Sequence, residues 1–527
     1  MSLASNPLPE NPAELRSFTV ALQAFAVALQ DELHAKTLLI EKLKMQLAVL
    51  RRAHFGRSSE KLDREIAQLE LAIGELEEGE AQQVAGCETD PAVAAAAPAA
   101  RQPKNIPSRK PLPEHLPRER IEHPTACVCP ACGSTRLACI GTDEREVLEY
   151  VPSHFKVIVH RRPKMSCRDC EAIAQPPLPS LPIERGVPGP GLLAHVIVAK
   201  YCDHLPLYRQ SGIYGRSGIE IDRSTMADWV GRMAFLLQPL AEALGAHVRA
   251  GETLHADDTP VPVLDPGRGQ TKTGRLWVLL RDERPWGSGV PPAVYYQYSP
   301  DRKKERAAML LQGCHGYLHA DAYSGFDHLY EPNGISAAAL LAPVGCWAHA
   351  RRKIYEVHKT TGSPRAHELL EHIGRLFAIE EEIKGRCPEE RLAMRQEKSA
   401  PLLAALKARF DETLAQIGKS DFAKAIRYAT SCWSSFISYT ADGRLEICNN
   451  AAERSIRPIA IGRNNWMFAG SDAGGARAAL MYTLIETARI NGLDPETWLR
   501  QVIGRIADHP ASRITELLPW NMSSPSA

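Results

Sequence analysis

The chain has 527 residues, of which 44% are hydrophobic and 24% are charged, and its formal net charge is +1. This length corresponds to about three or four domains of roughly 100–200 residues each. With so little net charge, nucleic acid must be bound through local basic patches. No run of about 18 apolar residues is present, so we expect no membrane span. The opening stretch, MSLASNPLPENPAEL, lacks a basic segment followed by an apolar one, and we expect no secretory signal.

The N-terminal region, 13–79, is predicted to form coiled-coil or leucine-zipper helices. One heptad position holds Lys36 and five leucines: Leu15, Leu22, Leu29, Leu43 and Leu50. A second apolar run follows the segment RRAHFGRSSEKLD. The two helices either fold back as a hairpin, or the first pairs with another chain; an ordinary amphipathic helix is the simpler alternative. Region 80–125, rich in proline and alanine and then basic, is predicted to be a flexible linker.

Two C-x-x-C pairs mark the next region, 126–185, and their cysteines are Cys129, Cys132, Cys167 and Cys170. Each C-x-x-C turn lets two thiolates face one ion, and two such turns complete a tetrahedral Zn²⁺ site. Between the pairs, apolar and polar residues alternate as they do in β-strands, so we expect a zinc ribbon-like module. Its site should be structural, because four thiolates leave no open position for catalysis. Basic residues make a DNA-binding ribbon an alternative: Lys156, Arg161, Arg162, Lys164 and Arg168.

Region 186–250 has an apolar helical period with breaks at Gly215 and Gly218. The segment from Tyr208 to Trp229 is similar to a helix-turn-helix, with a second helix capped near Asp222 or Ser224. We therefore predict a helical, helix-turn-helix-like region that binds DNA. A plain helical bundle is the alternative, since the same pattern is common there.

At residue 251 the sequence pattern changes from helical to strand-like. In region 251–359 the first predicted strands are TLHADDTPVPVL, GRLWVLLRD and AVYYQYSP. The predicted order β-β-β-α-β-α-β-α is that of a ribonuclease H-like fold. Region 360–444 is strongly helical and is predicted to be an all-α insertion. A helix in 445–473 and a C-terminal helical region, 474–527, complete the chain, in which Asp494-Pro495 starts the last helix. The predicted fold class is a multidomain α+β protein.

Three acids in regions 251–359 and 445–473 have the layout of a two-metal phosphoryl-transfer site. Asp257 and Asp321 each end a strand-like run, and Glu453 lies on the predicted helix. The simpler reading of Glu453 is a capping box with Asn450, on a short helix that Pro458 ends. Asp258 is a second carboxylate beside Asp257, and periodicity does not separate the two.

Seven segments together give the chain a resemblance to a known family: LRRAHFGRSSEKLD, the CPAC…CRDC pairs, KYCDHLPLYRQ, LHADDTPV, GYLHADAYSG, CWAHARRK and NNAAERSIRPIAIGRNNWMFAGSDAGG. In this order they resemble the large transposase of the insertion sequence 66 family, a branch of the DDE transposases. The resemblance spans nearly the whole length. The family commonly reads A-D-E-T-P where this chain has Ala256-Asp257-Asp258-Thr259-Pro260.

The resemblance implies a DDE active site made of Asp257, Asp321 and Glu453, which would hold two Mg²⁺ ions, or Mn²⁺ in their place. Water would free a 3′-OH at each element end, and that 3′-OH would attack target DNA. Basic residues around the acids are expected to contact DNA: His349, Arg351, Arg352, Arg454 and Arg457. For the arginines, surface pairing with nearby acids is the alternative, and for His349 a structural role.

The predicted function is thus a DNA transposase that binds terminal inverted repeats, cleaves them and joins them to target DNA. The alternatives are a ribonuclease H-like nuclease and a non-catalytic zinc-ribbon DNA-binding regulator. The zipper favours a homo-oligomer, at least a dimer, because synapsis of two ends needs more than one active site. The family also implies two small accessory proteins from the same element and a cytoplasmic, nucleoid-associated location.

Overall fold

The computed structural model describes residues 35–37, 39–47, 60–88, 111–152, 154–177, 179–183, 186–265, 270–321, 324–330, 341–466 and 469–522. The heptad leucines Leu15, Leu22, Leu29 and Leu50 and residues 89–110 of the predicted linker lie outside these ranges. Across the ranges given, no helix is both long enough and apolar enough to cross a membrane.

The described N-terminal residues form two helical segments that pack on each other. Residues 39–47 are helical, and α1 spans Glu60–Glu88. Ile40 and Leu47 pack against Ile73 and Leu76 in one small apolar cluster. This contact within one chain is the hairpin arrangement, formed because each segment presents an apolar stripe at helical spacing.

Buried charges fix α1 to the rest of the protein. Glu78 lies within ion-pair range of Lys200 and of Arg477, whose Nε is 3.4 Å from a Glu78 oxygen. Arg477 also donates to the Glu75 carbonyl oxygen at 2.7 Å. Because Arg477 and Glu78 are almost fully buried, each charge depends on its partner for the solvation that it has lost.

A small sheet follows and carries the cysteine pairs. Its strands are β1 (Arg118–Glu122), β2 (Leu137–Val151), β3 (His154–Cys167) and β4 (Ile173–Ala174). β3 pairs parallel with β1 and antiparallel with β2 and β4. Three helices come next: α2 (Pro190–Tyr201), α3 (Leu207–Arg216) and α4 (Arg223–Arg249). The α3–α4 turn contains Gly218 at φ +75°, a conformation that glycine adopts without a Cβ penalty.

Helix α4 is buried along one whole face. Its buried residues recur at steps of three and four, and the central ones are Met226, Val230, Met233, Leu237, Leu240 and Leu244. This stripe joins the same apolar core as the main sheet. The second helix of the predicted helix-turn-helix therefore serves as a core element, and DNA reading by it stays a prediction.

The main sheet has five strands in the order β7-β6-β5-β8-β9. They are β5 (Thr253–Asp265), β6 (Gln270–Arg281), β7 (Ala293–Ser299), β8 (Gly316–His319) and β9 (Leu341–Val344), and α5 (Lys304–Leu310) lies between β7 and β8. β5, β6 and β7 pair antiparallel, whereas β5, β8 and β9 pair parallel. In β6, the consecutive residues Val278, Leu279 and Leu280 are all buried, as expected for a sheet covered on both faces.

A second apolar core is built from helices that follow β9. They are α6 (Trp347–Thr361), α7 (Pro364–Glu382), α9 (Ala400–Ile417), α10 (Asp421–Thr430) and α11 (Trp433–Ile437). Helix α8 (Pro388–Met394) and a π-helical turn, Arg395–Ser399, lie between α7 and α9. Trp347, Ile373, Phe410 and Phe436 are at the centre of this second core. The buried guanidinium groups of Arg391 and Arg395 donate to backbone carbonyls in 439–445. They thereby fix the chain segment that leads to the next helix.

The last helices are α12 (Asn450–Trp466), α13 (Asp472–Ile490) and α14 (Pro495–Ile506). The prediction that Pro458 ends a short helix is wrong, because Pro458 lies inside α12. The proline removes one backbone hydrogen bond, but burial of Ala452 and Ile459 in the main core holds the helix together. The predicted start of α14 is confirmed: Asp494 accepts the Thr497 N–H at 2.8 Å, and Pro495 is the first helical residue.

Candidate active site and zinc cluster

The three predicted acids lie on three elements around the centre of the main sheet. Asp257 is in β5, the central strand, and Asp321 follows the parallel neighbour β8 by two residues. Glu453 is in the first turn of α12, which packs against β5 and β6. β5 and β8 pair in parallel from Thr253–Tyr317 to His255–His319, so Asp257 and Asp321 each follow this pairing by two residues and lie on neighbouring parts of the sheet.

The electrostatics of Asp257 show that these acids interact. Burial raises the pKa of the Asp257 carboxyl to about 7, and the negative charges of Asp321, Asp258 and Glu453 raise it as well. The one hydrogen bond that lowers the pKa comes from the Asp258 N–H, 2.7 Å from Asp257 Oδ1. Carboxylates near one another in a partly dry site have this effect, because like charges oppose ionisation. Among the described residues, however, the groups whose ligand atoms all lie within 4.8 Å of one another do not include Asp257 or Asp321. A bound cation would relieve the repulsion.

The neighbouring carboxylate, Asp258, is held differently. It is bound by two arginines: Arg275 Nη1 is 3.0 Å from one oxygen, and Arg302 Nη2 is 2.7 Å from the other. Its side chain is only 3% exposed. Successive strand residues point to opposite faces of the sheet, so Asp258 and Asp257 face different sides. Asp258 is therefore neutralised by protein cations, whereas Asp257 lies among other carboxylates.

Glu453 contacts the helix that follows β9. One of its oxygens, Oε1, lies 3.5 Å from His349 Nδ1, and the other, Oε2, lies 3.4 Å from Arg352 Nη2. These contacts take the place of the expected capping box, since Asn450 is itself the first residue of α12. The first turn of α12 thus presents a carboxylate between the main sheet and α6.

A buried polar framework, which the sequence interpretation missed, ties the acid-bearing elements together. Asn449, directly before α12, donates to the Ala256 carbonyl at 2.8 Å, and its Oδ1 lies 3.0 Å from His255 Nδ1. The His255 ring stacks on His319 at 4.2 Å between centroids. His319 Nδ1 is 3.1 Å from the Leu254 carbonyl, and its Nε2 accepts the Glu446 N–H at 2.9 Å.

Both histidines of this framework are neutral. Burial lowers the pKa of His255 to about 4 and lowers that of His319 as well. Neutral rings suit the network, because each uses one nitrogen as donor and leaves the other able to accept. The signal was present in the sequence: L-H-A-D occurs twice, so each histidine precedes a candidate acid by two residues. In an extended strand, that spacing places histidine and acid on the same face.

The predicted DNA-contacting arginines lie on exposed surfaces beside Glu453. Arg351 and Arg352 are exposed on α6, and Arg454 and Arg457 are exposed on α12. Arg352 pairs with Glu453, in line with the alternative of surface pairing for that residue. The exposed arginines put positive charge on the two helices that carry or contact Glu453, and phosphate binding by them stays a prediction.

The four predicted zinc ligands meet in one cluster. The ligand atoms of Cys129, Cys132, Cys167 and Cys170 all lie within 4.8 Å of one another. Cys129 Sγ is 3.5 Å from Cys170 Sγ, and Cys132 Sγ is 3.6 Å from Cys167 Sγ. A tetrahedral ion with Zn–S bonds of about 2.3 Å needs sulfurs about 3.8 Å apart. Backbone N–H groups, first that of Asp169, lower the pKa of Cys167 to about 6, whereas the pKa of Cys132 and that of Cys170 are raised.

The basic residues of this module are mostly paired with acids. Arg161 contacts Glu122 and Glu144 at 2.9 and 2.7 Å, and Lys156 contacts Glu119 at 2.6 Å. Lys164 and Arg162 both reach the carboxylate of Asp143, at 2.7 and 3.9 Å. These contacts reduce the positive potential of the ribbon. They give the module a weaker basis for binding phosphate than the exposed arginines beside Glu453.

Four family models match consecutive parts of the chain. The one described as "Transposase IS66 family" matches residues 185–477, more than half of the chain. "Transposase C of IS166 homeodomain" matches 42–121, "zinc-finger binding domain of transposase IS66" matches 126–171, and "IS66 C-terminal element" matches 483–520. The zinc-finger match covers all four clustered cysteines, so this module is a zinc-binding domain.

Three proteins of Sinorhizobium fredii are similar to the chain over most of its length. Uncharacterized protein y4hP is 42% identical over 511 residues, which cover 93% of this chain and 90% of that protein. Uncharacterized protein y4qI is 39% identical, covering 92% of this chain and 89% of that protein. Uncharacterized protein y4jD is 39% identical, covering 78% and 81%. Their names assign no activity, so the chemistry must be argued from the residues of this chain.

Proposed function

The chain belongs to the IS66 family of transposases, and we propose that it cleaves DNA at the ends of an insertion sequence and joins those ends to target DNA. The observation that carries the proposal is the electrostatic coupling of Asp257 to Asp321 and Glu453. Repelling carboxylates are costly for a fold, and three of them on separate elements are best explained by a cation that they bind.

The strand order supports a ribonuclease H-like catalytic domain. Three antiparallel strands are followed by two parallel ones on the other side of β5, and the order is β7-β6-β5-β8-β9. In this proposal the acids of β5, of the turn after β8 and of α12 form the active site. Asp257 is the first acid rather than Asp258, because Asp258 already has its charge balanced by Arg275 and Arg302.

The donor set fits Mg²⁺, a hard ion that prefers carboxylate oxygens, and Mn²⁺ has the same preference. Glu453 Oε1 is buried and has no hydrogen-bond partner among the described residues, so it is available as a ligand. Asp257 and Asp321 would each contribute oxygens, and two ions would be held in all. Bound Mg²⁺ supplies positive charge that stabilises the attacking and leaving oxygens of an in-line displacement at phosphorus.

The remaining tasks fall to side chains around the acids. Arg351, Arg454 and Arg457 are exposed and would hold DNA phosphates, which positions the scissile strand without reading sequence. Buried hydrogen bonds hold the three acid-bearing elements in place relative to one another, and they are made by Asn449, His255 and His319. Such support matters because a displacement of about 1 Å costs a catalytic site roughly 100-fold in rate.

The partners in this proposal are DNA and further copies of the chain. The terminal inverted repeats and target DNA are the nucleic-acid partners. Synapsis of two ends requires at least a dimer, and the N-terminal helices are the proposed contact. Two small accessory proteins of the same element and a cytoplasmic, nucleoid-associated location belong to the same proposal.

The test is a cleavage and joining assay with the full-length protein, element-end DNA and Mg²⁺. Asp257→Asn, Asp321→Asn and Glu453→Gln should each lower both activities by at least about 100-fold, more than loss of an outer-shell partner would. DNA binding should persist. Asp327→Asn is the matched control, because Asp327 is an exposed carboxylate six residues beyond Asp321.

Other outcomes would identify the alternatives. Nicked DNA without joined products would indicate a ribonuclease H-like nuclease. Sequence-specific binding with neither product, and no response to divalent ions, would indicate a zinc-ribbon DNA-binding regulator. Either result overturns the proposed transposition chemistry.

A further inference from the structure

A sulfur, a nitrogen and an oxygen ligand meet at the junction of α6 and α12. Cys346 is the residue before α6, His349 is in the first turn of α6, and Glu453 is in the first turn of α12. Their ligand atoms all lie within 4.8 Å of one another. His349 Nδ1 and Glu453 Oε1 are 3.5 Å apart. Within the described residues, both atoms are buried and neither has a hydrogen-bond partner.

Two buried polar atoms without partners are a cost that a folded protein seldom keeps without a reason. A hydrogen bond between them would satisfy both, yet their 3.5 Å separation is longer than such bonds usually are. That separation is close to the roughly 3.4 Å between a nitrogen and an oxygen bound to one tetrahedral Zn²⁺ at about 2.1 Å. The pair is therefore spaced as two ligands of one ion.

The sulfur lies at the N-terminus of α6 and accepts a backbone hydrogen bond. Cys346 is 1% exposed, and its Sγ accepts the Asn449 N–H at 3.2 Å. Burial, together with the negative charge of Glu453, raises the pKa of the thiol, and the N–H groups of Asn449, His349 and Ala348 offset only part of this rise. Amide donors at a helix N-terminus favour a thiolate. The energetic penalty of burial is removed when a cation binds the sulfur, as zinc ligation requires.

The chemistry of the three ligands selects the ion. Mg²⁺ prefers oxygen, whereas thiolate and imidazole select softer ions such as Zn²⁺. Cysteine, histidine and a carboxylate are all common Zn²⁺ ligands, and three protein ligands leave a fourth position open. This set differs from the closed four-cysteine cluster, whose ligands lie in a separate module.

We propose that Cys346, His349 and Glu453 form a second zinc site, open at one position, which shares Glu453 with the proposed Mg²⁺ centre. Binding of Zn²⁺ there withdraws Glu453 from Asp257 and Asp321, so Zn²⁺ inhibits the Mg²⁺-dependent reaction by occupying a ligand and not by blocking DNA. This inhibitory consequence rests on the proposed function, whereas the binding itself does not.

The binding test uses the full-length protein with its four-cysteine cluster already loaded with Zn²⁺. Co²⁺ is then added as a spectroscopic probe, because Co²⁺ bound to thiolate gives a charge-transfer absorption that oxygen ligands do not give. The wild type should bind one additional equivalent with that absorption. Cys346→Ser should lose the absorption, and His349→Ala should weaken binding at least about tenfold, as loss of a ligand does.

Two controls keep the result interpretable. Cys448→Ser removes a neighbouring, partly buried thiol that is outside the cluster, and it should retain the signal. His349→Ala changes a partly exposed side chain, so it tests the site even if the buried Cys346→Ser variant fails to fold. Absence of the absorption in the wild type, or its full persistence in both ligand variants, overturns the site.

The inhibition test is read separately. Zn²⁺ should inhibit Mg²⁺-dependent cleavage by the wild type at least about tenfold more strongly than cleavage by Cys346→Ser, each compared with its own uninhibited rate. Equal inhibition of both would overturn the sharing of Glu453. A cobalt signal without any Mg²⁺-dependent cleavage would refute the proposed function while leaving the second zinc site intact.

Discussion

Replacing Asp257 with asparagine should stabilise the metal-free protein while removing its activity. The Asp257 carboxyl has its pKa raised to about 7, first by burial and then by neighbouring carboxylates. An unfolded chain would have a value of about 3.9. Between these values the folded state binds more protons than the unfolded state, so stability falls as pH rises. Asparagine has nearly the same shape, no charge, and an oxygen that can still accept the Asp258 N–H.

The magnitude follows from the shift. Each pH unit between about 3.9 and 7 costs the wild type about 1.4 kcal/mol, so the full cost reaches about 4 kcal/mol above pH 7. Asp257→Asn should therefore stabilise the protein by about 1.5 kcal/mol at roughly pH 5 and by about 4 kcal/mol at roughly pH 8.5. At 2–4 °C per kcal/mol for a domain of this size, the larger value corresponds to a Tm increase of about 8–16 °C.

The assay is thermal unfolding of the full-length wild type and variant in Mg²⁺-free buffer at both pH values. No chelator is used, because it would also remove zinc from the cysteine cluster. Adding Mg²⁺ should raise the Tm of the wild type and leave that of Asp257→Asn unchanged. Asp258→Asn is the control: it breaks a buried pair with Arg275 and Arg302 and should destabilise by about 3–5 kcal/mol.

A Tm of Asp257→Asn that falls, or that rises equally at both pH values, would contradict a carboxyl with a raised pKa. A fall would mean that Asp257 makes favourable contacts that outweigh repulsion. A pH-independent gain would mean that its carboxyl ionises at an ordinary pH.

Three further changes test the framework, the N-terminal helix and the zinc module. Asn449→Ala should lower the free energy of unfolding by about 2–5 kcal/mol, because it leaves two buried hydrogen-bond partners unsatisfied. It should also lower the rate of DNA joining more than Asn450→Ala does. A Tm and a joining rate equal to those of the wild type would contradict this. Glu78→Gln should lower the free energy of unfolding by about 3–5 kcal/mol, because it leaves the buried cations Lys200 and Arg477 poorly paired. An unchanged Tm would contradict the packing of α1 against the rest of the protein. Cys167→Ser should lose one bound zinc by metal analysis, and its zinc module should become sensitive to protease. Cys139→Ser, which changes a cysteine outside the cluster, should show neither effect. Zinc retained by Cys167→Ser would count against the four-thiolate site.

The sequence predicted the parts of the site whose signals are local. The four cysteines were found because C-x-x-C spacing alone brings two thiolates to one ion. Asp257 and Asp321 were predicted because each ends a strand-like run. Asp321 does follow β8, whereas Asp257 lies inside β5, which continues to Asp265. The proposed choice of Asp257 over Asp258 rests on the arginines of β6 and of the segment after β7, which only folding brings near Asp258.

The remaining features depend on contacts between distant residues. Asn449 meets His255 across 194 positions of sequence, so no local pattern predicts their hydrogen bond. The acids of α1 look like an exposed charged face, yet Glu78 is buried against Arg477. Pro458 was expected to end a helix by its local geometry, but packing of Ile459 and its neighbours in the core prevails over that preference.

The central claim, that Asp257, Asp321 and Glu453 bind divalent cations together, is tested most directly by titrating the zinc-loaded, full-length protein with Mn²⁺ and measuring bound ion by electron paramagnetic resonance. Mn²⁺ should bind saturably, and its binding should weaken at least about tenfold in Asp257→Asn, in Asp321→Asn and in Glu453→Gln, but not in Asp327→Asn. Binding that is equally strong in the wild type and in all three acid variants would contradict that claim.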